Sequence, residues 1–302
     1  MSFGVQELAE RGRRLAEERV ETADLLYGFA RDLHTDSTLL RWVEVPALTN
    51  RMLGLPSDVR ACLFAVEGVL TTSADLHAAA WRETLDAFLL EHAERNHRQF
   101  LPFDRHHDYA DYILGKPRIT GVHDFLASRG ISLAEGTADD APGTPTVHGL
   151  ANSKKQALQR RLDREGVAAF EGSRCYLEGA RIAGLRRAVV SASTNTVPIL
   201  ERAGLAHLIE GRVDGHTLET QRLQPKPAPD MLLEACSQLR IDPSQAAAFE
   251  TTPAGIAAAR RAGVKVVIGV NRNGDDNALR ASDVDLVVSD LIALLDGGVA
   301  AS

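Results

Sequence analysis

The sequence predicts an α/β fold: an open parallel sheet flanked by helices, interrupted by one long helical insertion. Three observations predict it. Short apolar runs at residues 61–66, 187–191, 246–250, 265–270 and 285–289 each suit a buried strand. The stretches between successive runs carry helical periodicity, and alternation of this kind implies a parallel sheet. Residues 75–172 break the alternation and read as helical throughout, apart from a Gly/Pro/Asp-rich loop around 135–145.

In chain order, residues 5–35 are rich in Glu, Arg, Leu and Ala, with Leu8, Leu15, Val20 and Leu25 at roughly helical spacing. Two amphipathic helices are expected there. They form either a packed N-terminal extension or an arm for homo-oligomer assembly, and the pattern names no partner. The first apolar run, 61–66, leads into Gly68, as a buried strand does when it enters a loop. The expected domains are an extension at 1–55, an α/β core at 56–74 and 173–302, and a helical unit at 75–172. The tail at 297–302 is expected to fray.

A chain of 302 residues with 44% hydrophobic residues buries a sizeable core. The net charge of -7 argues against general nucleic-acid binding, which needs a basic stripe. No apolar run is long enough for a membrane span, and the N-terminus has no basic-then-apolar signal pattern. Cys62, Cys175 and Cys236 are widely spaced and odd in number, which disfavours both a disulfide framework and a metal-binding pair, so a reducing cytoplasm is expected.

In open α/β sheets, active groups gather beyond the carboxyl ends of the strands. Ala65, Glu67, Ser191 and Glu250 all fall at the ends of apolar runs. Four segments there resemble the motifs of the haloacid dehalogenase superfamily. Phe64-Ala65-Val66-Glu67-Gly68-Val69-Leu70-Thr71 resembles the first motif, Phe-Asp-x-Asp-Gly-Val-Leu-Thr, with both aspartates replaced. Val189-Val190-Ser191-Ala192-Ser193-Thr194-Asn195 resembles the second, a strand ending in a hydroxyl. Lys226-Pro227-Ala228-Pro229-Asp230 resembles the third, and Phe249-Glu250-Thr251-Thr252-Pro253-Ala254-Gly255 the fourth, with Thr251 where an aspartate is usual. Order and spacing are similar to subfamily I and to its β-phosphoglucomutase-like group, over roughly residues 55–295.

That resemblance implies a Rossmann-like core with a helical type 1 cap at 75–172. It implies that Ser191 holds a phosphoryl oxygen, that Lys226 neutralises the phosphoryl group, and that Glu67 stands at the acid/base position. Ser73, His77, Arg118, Lys154, Ser193 and Asn195 fall where substrate contacts are expected. Gly115-Lys116-Pro117-Arg118 resembles the cap loop that grips a distal phosphate, and Lys154 a cap lysine near the sugar.

The family's nucleophile position is Ala65, which has no nucleophilic atom. Mg²⁺, the family's cofactor, takes near-octahedral oxygen ligands, usually carboxylates. Ala65 and Thr251 remove two, leaving Glu67 and Glu250, so Mg²⁺ binding is expected to be weak or absent. The expected ligand is a phosphorylated small molecule, a sugar phosphate above all. Three functions follow: a binder with the aspartyl-phosphate chemistry lost, an enzyme of altered chemistry (isomerase, lyase or metal-weak hydrolase) using Glu67 as acid/base, or a scaffold with an unused pocket.

Overall fold

The computed structural model describes residues 49–272 and 277–295. The expected N-terminal helices and the frayed tail lie outside the described residues. Six strands form one parallel sheet in the order β3-β2-β1-β4-β5-β6: β1 Ala61–Phe64, β2 Arg186–Val190, β3 Gly211–Val213, β4 Ala246–Glu250, β5 Val266–Val270 and β6 Leu286–Val288. The predicted runs at 61–66, 187–191, 246–250, 265–270 and 285–289 thus appear as β1, β2, β4, β5 and β6. β3 went unpredicted, being three residues long at the sheet edge with Arg212 exposed at its centre.

All residues of β1 and β4 are buried, as strands covered on both faces must be. Side chains alternate between the two faces. Phe64 and Phe249, paired in register, stack at 4.6 Å between ring centroids, and Tyr176 meets both edge-on while its hydroxyl donates to the Leu53 carbonyl. On this face pack α4 (Glu171–Ile182), α5 (Thr196–Arg202) and α10 (Ile292–Leu295). On the other, Leu63, Ala188, Val190 and Ala248 meet α7 (Asp230–Leu239) and α8 (Pro253–Arg261).

Between β1 and β2 the chain forms α1 (Ser73–Arg95), a π-helical turn at Tyr109–Ile113, α2 (Arg118–Ser128) and α3 (Val147–Glu165). These surround a separate cluster built on Trp81, Leu85, Phe103, Val122, Phe125 and Leu150. Thr146 caps α3 by accepting from the Gly149 N–H at 2.9 Å, which fixes where the helix resumes after the irregular stretch. The sheet order places β1 between β2 and β4, so the carboxyl ends of three adjacent strands open beneath this helical unit.

Candidate functional site

A cavity of about 280 Å³ lies between the strand ends and the helical unit, lined by Ala65, Glu67, His77, Arg118, Lys154, Ser191, Ser193, Asn195, Lys226, Glu250 and Thr251. Of the sequence-selected residues, only Ser73 is not in that lining. It is fully buried, and its hydroxyl pairs with Thr71 Oγ1 at 2.8 Å beneath the loop, so Ser73 supports the loop rather than facing a ligand.

The loop after β1 is held tightly. Gly68 takes φ 76°, where a side chain is strained, and a Cβ there would also come within 3.2 Å of the Thr251 side chain. Arg272, which sequence reasoning missed, donates to the Gly68 and Val69 carbonyls at 2.9 and 3.1 Å and lies 3.5 Å over the Phe170 ring. Glu67 is thereby fixed over the end of β2. Ser191 Oγ lies 3.2 and 3.1 Å from the two Glu67 carboxylate oxygens and donates to that carboxylate. It also accepts from the Ser193 N–H at 3.1 Å, and Ser193 Oγ accepts from the Asn195 N–H at 3.1 Å.

On the other side of Ala65, Lys226 Nζ donates to Glu250 Oε1 at 2.6 Å and to the Val190 carbonyl at 3.2 Å. Both side chains are almost wholly buried. Burial pushes the Glu250 carboxyl above its ordinary range, against the opposing pull of Lys226. Gly255 makes the arrangement possible, because a Cβ there would stand 2.1 Å from Glu250 Oε2. Thr252 caps α8, accepting from the Gly255 N–H at 3.0 Å.

The helical unit supplies cations. Lys154 Nζ sits 3.1 Å from His77 Nδ1 and 5.2 Å above the Trp81 ring. Burial, with Arg118 adding to it, brings the Lys154 ammonium down to about 7, while Glu67 pulls the other way. Burial, then Lys154 and Arg118, hold His77 well below the usual imidazole range. His77 Nδ1 and Lys154 Nζ share a hydrogen bond, and Nε2, without a hydrogen-bond partner, stands 3.9 Å from Glu67 Oε1. Arg118 opens α2, and its Nη1 makes only a long 3.5 Å contact with Thr194 Oγ1, bridging the helical unit to the loop after β2. Its Nε has no hydrogen-bond partner.

Sequence reasoning also missed Tyr109 and Glu219, which line the cavity from the π-helical turn and from α6 (Gly215–Gln221). Glu219 is close enough to oppose, in part, the lowering of Arg118 by burial. His106 and His107 are exposed and take no part in the lining.

The donors present do not fit Mg²⁺. Ala65 offers a methyl and Thr251 a neutral hydroxyl, and the remaining β4 carboxylate, Glu250, is engaged by an ammonium at 2.6 Å. Among the described residues no three His, Cys, Asp or Glu side chains are grouped for a metal ion. A hard divalent ion would have to share Glu250 with Lys226 and would still lack the further carboxylates it prefers.

A family profile for haloacid dehalogenase-like hydrolases matches residues 59–263. The β-phosphoglucomutase of Mycobacterium tuberculosis is 46% identical over 253 residues, covering 83% of this chain and 97% of that one. An uncharacterized glycosyl hydrolase of the same organism is 32% identical over 237 residues, covering 78% of this chain and 18% of its own length. Among solved structures, β-phosphoglucomutase from Clostridium difficile superposes with a TM-score of 0.62 at 20% identity, covering 78% of this chain and 93% of that one.

Proposed function

We propose a binding function for this chain, which belongs to the haloacid dehalogenase-like hydrolase family: it holds a phosphorylated small molecule, a sugar phosphate, without aspartyl-phosphate turnover. The observation that carries this reading is Ala65 at the end of β1, lining the cavity with a methyl where the resemblance places the nucleophile, while Arg118 on the facing wall of the same cavity keeps an unpartnered Nε. Phosphoryl transfer in this fold depends on a positioned nucleophile and charge neutralisation. The hydroxyl and the cations are present, and the nucleophile is not. The 46% identical relative, matched over 97% of its length, is named a β-phosphoglucomutase, and that name points to a phosphorylated carbohydrate. The three cysteines are buried and free, which fits a reducing cytoplasm.

Calorimetric titration with glucose 6-phosphate, glucose 1-phosphate and glucose, in EDTA, tests this. Binding of a phosphorylated sugar and not of glucose is expected. Failure of every sugar phosphate to bind would overturn it. Arg118→Ala is expected to weaken binding about 10–100-fold, the worth of a charged hydrogen bond.

A second reading is favoured by the His77 Nε2–Glu67 Oε1 approach of 3.9 Å: Glu67 acts as an acid/base in isomerisation or elimination. A bell-shaped pH–rate profile abolished in Glu67→Gln supports that reading, and turnover unchanged by the substitution removes it.

A further inference from the structure

The two groups that would receive a phosphoryl group at the sheet edge are already taken by carboxylates. Ser191 Oγ is shared between both Glu67 oxygens at 3.2 and 3.1 Å, and Lys226 Nζ is bonded to Glu250 at 2.6 Å. Any phosphate accepting from the Ser191 hydroxyl would face the Glu67 carboxylate at close range. The opposite wall has no carboxylate in hydrogen-bond contact. Arg118 has an unpartnered Nε and one long hydrogen bond, with Glu219 acting on it only through its charge, and Lys154 Nζ is hydrogen-bonded to the His77 imidazole and lies over the Trp81 face.

We infer that the cavity selects sugar monophosphates over bisphosphates, with the phosphate at Arg118 and the uncharged sugar hydroxyls at the sheet edge, and that Glu67 is the residue that excludes a second phosphate. This rests on the sugar-phosphate reading above and narrows it. A sugar hydroxyl is both donor and acceptor, so it meets the Glu67–Ser191 pair without repulsion. A phosphate there can only accept, and it brings like charge to a partly desolvated carboxylate. The selectivity comes from an unfavourable contact built against one ligand class rather than an added attraction for the other. Glu67 has the reach to do this because it is one methylene longer than the aspartate of the family motif, and its loop is pinned by Arg272.

The test is titration of the full chain with glucose 6-phosphate, glucose 1-phosphate and glucose 1,6-bisphosphate at one ionic strength, in EDTA, before and after Glu67→Gln. The chain is expected to bind its preferred monophosphate at least about 10-fold more tightly than the bisphosphate, a modest share of the repulsion between two like charges about 4 Å apart. Glu67→Gln keeps the size and hydrogen-bonding ability of the side chain. It should shift the ratio of bisphosphate to monophosphate affinity at least about 10-fold toward the bisphosphate, since the like charge is gone. Retained monophosphate binding also certifies that the variant is folded. If it is not folded, the native comparison decides alone. Bisphosphate binding to the native chain as tight as monophosphate would overturn this inference while leaving the sugar-phosphate reading intact. No binding of any of the three would overturn both.

Discussion

Breaking the Lys226–Glu250 pair should destabilise the protein heavily, and removing both partners should not. The side chains retain 6% and 3% of their exposure and meet at 2.6 Å. Taking away one partner of such a pair leaves a buried group without compensation, which costs about 3–5 kcal/mol. For a chain of this size that corresponds to a fall in Tm of about 5–8 °C. Glu250→Gln and Lys226→Met should each show it. The double variant leaves no orphaned charge, so it should recover most of the loss, with a coupling energy of at least about 2 kcal/mol in the cycle. The raised Glu250 carboxyl points the same way, since burial outweighs the attraction of Lys226. Thermal and urea denaturation of the four proteins at pH 7, without added metal, measure the cycle. Single variants costing under about 1 kcal/mol, or an additive double variant, would refute the view that this ion pair closes the site in a metal's stead.

Three further expectations follow from the geometry. Lys154 titrates near 7 when folded and at its ordinary 10.5 when unfolded, so between these values the unfolded chain holds more protons and stability rises with pH; Lys154→Met should raise stability at pH 6–7 and flatten that rise, and equal slopes in urea titrations of the two proteins would contradict the assignment. Gly255→Ala would place a Cβ 2.1 Å from the Glu250 carboxylate, forcing that side chain out of line with Lys226, and should cost several °C in Tm; a Tm change within about 1 °C would contradict the contact. Because Ala65 and Thr251 supply no carboxylate and Lys226 already engages Glu250, Mg²⁺ should shift neither Tm nor sugar-phosphate affinity; a saturable upward Tm shift with Mg²⁺ would show a site these residues do not provide.

The sheet and the strand ends that border the cavity were legible in the sequence because buried parallel strands write continuous apolar runs, and Ala65, Glu67, Ser191 and Glu250 stand where those runs stop. β3 left no such mark, since three edge residues with an exposed arginine carry no pattern. Ser73 lies outside the cavity lining because nearness to the first motif in sequence says nothing of side-chain direction: it turns under the loop to Thr71. Glu219, Tyr109 and Arg272 were missed for the opposite reason, being ordinary surface residue types in sequence that only the tertiary fold turns toward the cleft or its loop. The pairing of Ser191 with Glu67 was likewise hidden, because it arises from two strand ends made neighbours by the order of the sheet.

The proposal that Ala65 leaves the chain without aspartyl-phosphate chemistry is tested most directly by placing an aspartate there. Mg²⁺-dependent phosphate release and mutase turnover would be followed on a sugar-phosphate panel for the native chain and for the Ala65→Asp, Glu67→Asp, Thr251→Asp triple variant. The expected result is turnover by the triple variant alone, on a scaffold and pocket that both proteins share. Turnover by the native chain at a comparable rate would contradict the account and require a nucleophile other than residue 65.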